Sequence, residues 1–88
     1  MIHQLFSIFD DKAGAFQPPF IHTNEDTAVR AVAASVNERS GDMLSQHPED
    51  FHLYYLGTFN DNEGTYQTQK PESIGNIKIL LAPKQEND

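Results

Sequence analysis

The chain has no cysteine, which rules out a disulfide framework, the Cys-containing zinc patterns and a thiol nucleophile. It suits a reducing compartment. Positive charge is scarce: six Lys and Arg stand against 13 Asp and Glu, for a net charge of −7 over 88 residues. Binding to a phosphate backbone draws on counterions released by cations at the contact, so this composition argues against a general nucleic-acid binder. A locally neutral surface is the one place where such a role could sit. No segment approaches the roughly 20 apolar residues of a membrane helix. The opening MIHQLFSIFDDKAG has neither a basic segment nor a long apolar run, so no signal peptide is expected. The expectation is a soluble intracellular protein with one domain at residues 1–82 and a polar tail at 83–88.

The acidity is uneven. Residues 23–50 carry six acids against two bases, which accounts for −4 of the −7. The segments on either side are nearly neutral, and they are also the segments with strand patterns. IHQLFSIF (2–9) is β-rich and bounded by the turn-forming DDKAG, with Leu5 and Phe9 on one face and Phe6 and Ile8 on the other. FQPPFIH (16–22) contains Pro18 and Pro19, which donate no ladder hydrogen bonds, so it belongs at a sheet edge or in an extended arm.

The segment TNEDTAVRAVAASVNERSG (23–41) predicts the main helix. Thr23 and Asp26 have the spacing of a capping box, and Ala28, Val29, Val32, Ala33 and Val36 form a narrow apolar stripe. Arg39 suits the negative end of the helix and Gly41 its stop. GDMLSQHPED (41–50) predicts a connector with one short helical turn starting at Pro48. In FHLYYLGTF (51–59), strict alternation puts Phe51, Leu53, Tyr55, Gly57 and Phe59 on one face and His52, Tyr54, Leu56 and Thr58 on the other. NDNEG then predicts a hairpin loop, TYQTQK a polar return strand, PESIGN a loop and NIKILLA a last strand. The fold class expected is α+β: a small antiparallel sheet of four to five strands against one main α-helix.

Residues that could carry chemistry are few. Of the four histidines, His47 and His52 are five apart and do not share a helical face, and NDNEG fails the calcium-loop spacing, since counting from Asn60 puts Thr65 sixth and Pro71 twelfth. No nucleophile elbow and no phosphate-cradling glycine loop is present, and the adjacent acids Glu49 and Asp50 are first-turn residues after a proline. No enzyme, metal or cofactor is expected.

The aromatic residues remain. Phe51, Tyr55 and Phe59 are expected in the core, while Tyr54 falls on the opposite face beside His52. Single-strand binders stack bases on exposed rings next to cations. Lys12, Phe16, Phe20, Tyr54, Lys70 and Lys78 are candidates for such a surface if their strands adjoin. The other reading of the same residues is core closure or a buried dimer face.

Three blocks in order carry a family resemblance: FSIFDDKAGAFQPPF, HPEDFHLYYLGTFNDNEG and PESIGN. Together with the intervening helix they span about residues 5 to 77, and their order and spacing resemble the small nonstructural proteins of gokushovirus-type microviruses, phages with circular single-stranded DNA genomes. The resemblance implies a nonenzymatic phage accessory protein of the host cytoplasm. Its role would be to bind single-stranded DNA in genome replication, or in the switch to single-strand synthesis and packaging. The alternative partner is a viral replication or capsid protein, or a host factor, engaged by an acidic homodimer. No membrane partner is implied.

Overall fold

The computed structural model describes residues 1–38 and 41–81. Five strands form one antiparallel sheet: β1 (Ile2–Asp10), β2 (Ala15–Phe16), β3 (Phe20–His22), β4 (Phe51–Asn60) and β5 (Thr65–Asn76). The helices are α1 (Glu25–Glu38), α2 (Met43–Gln46) and α3 (Ile77–Leu80), with a 3-10 turn at Pro48–Asp50. β1 is central. On one edge it pairs with both β2 and β3, on the other with β4, and β5 is outermost beyond β4. The expected α+β architecture is present, with the sheet as its larger part.

The proline segment lies where its missing donors predict. Pro18 and Pro19 fall in the unpaired stretch between β2 and β3, so neither is asked for a ladder hydrogen bond. Gln17, just before them, still donates its N–H to the Ile8 carbonyl at 2.8 Å.

The helices pack on one face of the sheet, although the middle of β1 is buried on both, with Leu5 and Ser7 on one side and Phe6 and Ile8 on the other. Paired residues point to the same side of an antiparallel ladder. Phe6 with Tyr55, Ile8 with Leu53 and Asp10 with Phe51 therefore share a side. The core assembles there: Phe6, Ile8, Phe51 and Leu53 from the sheet, Ala28 and Val32 from α1, and Ile77 from α3. The small side chains of the α1 stripe suit a close helix–sheet approach, with Ala28 fully buried and Val29 and Val36 packed at the margin.

The start of α1 differs from expectation. Asn24, not Thr23, caps it: Asn24 Oδ1 accepts from the Thr27 N–H at 2.8 Å and from Thr27 Oγ1 at 3.0 Å. With Glu25 as the first helical residue, Asn24 occupies the cap position and Thr23 lies one residue outside. Arg39, expected at the other end, is outside the described residues, as is the tail at 83–88. The Pro48 turn is present, and α2 precedes it unforeseen, capped by Asp42 Oδ1 accepting from the Ser45 N–H at 2.9 Å.

Two further corrections concern the C-terminal third. PESIGN is not a loop but the second half of β5, with Ser73 opposite Tyr54 and Asn76 opposite His52. NIKILLA is not a strand: Ile77–Leu80 is a helical turn capped by Asn76 Oδ1, which accepts from the Lys78 N–H at 3.0 Å. The apolar residues of this segment fit both periods. Ile77, Ile79 and Leu81 alternate, while Ile77, Leu80 and Leu81 have helical spacing. The cap and the core select the second, burying Ile77 and leaving Ile79 74% exposed.

A bulge at Leu56 overturns the alternation expected for β4. Phe6 faces Tyr55 but the preceding Leu5 faces Gly57, so Leu56 has no partner on β1. On β5 the register also slips, with Glu72 opposite Tyr55 and Thr68 opposite Gly57. One extra residue exchanges the two faces. Gly57 and Phe59 therefore leave the side of Phe51 and Tyr55, and Phe59 is not in the core.

Candidate nucleic-acid interface

The face away from the helices carries the side chains of His3, Leu5, Ser7 and Phe9 on β1, His52, Tyr54 and Phe59 on β4, and Tyr66 on β5. None of these residues belongs to the buried core cluster beneath the helices. Near one end, three rings come together. Phe9 and Phe16 are cross-strand partners with centroids 4.9 Å apart, Phe16 and Tyr54 are 5.2 Å apart, and Phe9 and Tyr54 are 6.3 Å apart, all edge to face.

Local chemistry fixes this cluster. The β1–β2 turn closes on Gly14 (φ 66), which donates its N–H to the Asp10 carbonyl, while Asp10 Oδ1 accepts from the N–H groups of Lys12 and Ala13. That turn returns Phe16 beside Phe9. Ser7, which pairs with Tyr54, is buried and donates its hydroxyl to the Gln17 carbonyl at 2.6 Å. Phe16 is 42% exposed, so its ring is open to a ligand.

A second aromatic group lies toward the other end of the same face. Phe59 and Tyr66 have centroids 4.8 Å apart, with His3 6.3 Å from Phe59. Leu5, between the two groups, is buried, and Ile21 beside it is 38% exposed.

Two carboxylates at this face are paired. His52 Nε2 lies 2.8 Å from Asp11 Oδ2, and His3 Nε2 lies 2.8 Å from Asp61 Oδ2. Asp61 also pairs with the N-terminal ammonium, and this bond, followed by that of His3, holds its carboxyl below the usual range. Asp10 and Glu72 point to the covered side, and Glu25, Asp26 and Glu38 are on α1. The strongest concentration of negative charge is thus placed away from the aromatic face.

The candidate residues separate into groups. Phe16 and Tyr54 meet. Lys12 lies in the turn that joins the strands of Phe9 and Phe16. Phe20 faces the other way, its ring 6.2 Å from that of Phe6 and packed on the core. Lys70 sits in the irregular part of β5, and Lys78 is on α3 near Glu49. Sequence reasoning missed Phe9 as a member of the cluster, although its position just before a tight turn and the Phe16 just after it are a cross-strand signal. His47, Glu49 and Asp50 offer ligand atoms within 4.8 Å of one another. His47 and Glu49 are exposed, and the group is a solvated turn in which a backbone hydrogen bond, then His47, lowers the Glu49 pKa.

The fold and face define a small α+β protein with its helices on one side of the sheet and an open aromatic surface on the other. A protein-family comparison identifies the group: the model for the Phage ORF5 protein family matches residues 3–80, and the chain belongs to that phage family. No curated protein and no solved structure matches it. No described helix is long and apolar enough to cross a membrane.

Proposed function

We propose that this phage protein is a nonenzymatic accessory factor of the host cytoplasm that binds single-stranded DNA on its open sheet face. The step it serves is genome replication or the switch to single-strand synthesis and packaging, as its resemblance to the gokushovirus-type proteins implies. One observation supports this above the rest: Phe9, Phe16 and Tyr54 form a ring cluster on a face where Asp11 is paired with His52 and Asp61 with His3. Stacking on a ring contributes roughly 1–3 kcal/mol per base and tolerates any sequence. With a net charge of −7, long-range attraction to phosphate is absent, so stacking has to carry the affinity and Lys12 supplies the local cation. Fluorescence polarisation with labelled oligo-dT at low salt tests the proposal. Saturable binding that is lost in Tyr54→Ala supports it, and no binding at low salt removes it.

The extent of the patch favours a second reading. Ile21 is 38% and Tyr66 58% exposed, so the apolar surface continues past the ring cluster and could seat a second copy of the chain. A homodimer on this face would cover Phe16. Light scattering with and without oligonucleotide separates the two: a dimer that persists in saturating DNA places self-association elsewhere, and one that dissociates places both on this face.

A further inference from the structure

The covered side of the sheet holds an unassigned cleft of about 610 Å³ where α1 and α2 diverge from the strands. Its floor is apolar, formed by Ile8, Phe20, Val32, Leu44 and Phe51. Two carboxylates, Asp10 and Asp42, are part of its lining, and among the described residues that line it there is one histidine, His22, and no Lys or Arg. Both carboxylates are held by backbone donors: Asp10 Oδ1 accepts from the Lys12 and Ala13 N–H groups, and Asp42 Oδ1 from the Ser45 N–H. Neither is a freely moving surface charge.

We infer that this cleft docks a segment of a partner protein that presents an apolar side chain flanked by Lys or Arg. The floor provides desolvation for the apolar group. The two fixed carboxylates of the lining are complementary to flanking cations and repel an acidic or phosphorylated segment. The helix that forms one wall is acidic on balance, with Glu25, Asp26 and Glu38 against Arg30. The cleft opens on the opposite side of the sheet from Phe9, Phe16 and Tyr54. A basic partner and a ligand on the open face can therefore be held at once, although Asp10 is common to both sites: it lines the cleft, and its Oδ1 holds the turn that carries Lys12.

The probe is the amidated peptide Lys-Leu-Phe-Arg-Leu, with Glu-Leu-Phe-Glu-Leu and Lys-Gly-Ser-Arg-Gly as controls, followed by amide chemical shifts of the full chain. The expected result is saturable binding of the first peptide alone, with shifts centred on Ile8, Val32, Leu44 and Phe51. The double variant Asp10→Asn, Asp42→Asn keeps the oxygens that accept from the backbone and removes both charges, and it should weaken binding roughly tenfold. Ala31→Trp, at the partly exposed mouth of the cleft, should abolish binding. Amide spectra of the unliganded variants verify that each is folded. Equal binding of the acidic peptide, no saturable binding at millimolar peptide, shifts centred on Tyr54, or displacement of the peptide by oligo-dT each overturns the inference.

Discussion

Gly57 and Gln67 stand so close across the β4–β5 ladder that a Cβ on the glycine would collide with the Gln67 carbonyl oxygen and lie 2.9 Å from Thr68 Cα. Gly57 also has φ 144, a conformation that side chains disfavour. This contact lies next to the bulge at Leu56, where β4 shifts register against both neighbours. The bulge is therefore built around a residue that must lack a side chain, and it is what moves Phe59 to the aromatic face.

Gly57→Ala is expected to cost about 3 kcal/mol or more, because strain and a backbone collision act together. Gly14 also has a positive φ of 66, but nothing lies within 4 Å of its Cβ position. Gly14→Ala should cost only about 1 kcal/mol. Urea denaturation of the two variants checks the difference; equal losses would mean that the bulge can relax.

How much of this was legible in the sequence differs by element. β1, the proline edge, α1 and the β4–β5 hairpin follow from periodicity and turn chemistry, both of which are local. The bulge at Leu56 does not, because the continuous run Leu53–Leu56 fits either face and the slip arises from how three strands fit together. Periodicity alone puts Phe59 in the core for that reason, whereas Phe16 and Tyr54 lie on the regular side of the slip, where their rings meet. NIKILLA reads as a strand because its apolar residues satisfy two periods, and only the core and the Asn76 cap decide between them.

The cap of α1 provides a test that separates neighbouring residues. Asn24→Ala removes the oxygen that accepts from Thr27 and should destabilise the protein by about 1 kcal/mol. Thr23→Ala should change stability by less than about 0.5 kcal/mol, as expected for a surface residue outside the cap. Thermal melts of both variants read the difference directly. A larger loss at Thr23 would restore it as the cap.

Asp61 gives the stability a defined dependence on acid. Its carboxyl is held below its ordinary value of 3.8 by the N-terminal ammonium and then by His3. A depressed folded-state pKa stabilises the native state above the unfolded value and loses that contribution as the pH falls through the folded one. The melting temperature of Asp61→Asn should therefore lie below that of the parent at neutral pH, and the gap should close as the pH falls below about 4. Because the pair is exposed, added salt should narrow the gap at neutral pH as well. A gap that stays constant to pH 2 would remove Asp61 as its source.

The ring cluster yields the most specific expectations for DNA. Phe16→Ala and Tyr54→Ala should each weaken oligo-dT binding by about 1–3 kcal/mol, while Tyr54→Phe, which keeps the ring, should bind nearly as the parent does. Lys12→Ala should make the slope of log affinity against log salt shallower by about 0.7, the value for one phosphate contact on a single strand. Phe20→Ala is the control. Phe20 packs against the core on the covered face, so its loss should lower stability and leave the affinity of the folded fraction unchanged. Polarisation titrations at several salt concentrations, each paired with a melt, separate the two effects. If Phe20→Ala weakened binding as much as Tyr54→Ala does, the DNA surface would not be the open face, because the two rings lie on opposite sides of the same sheet.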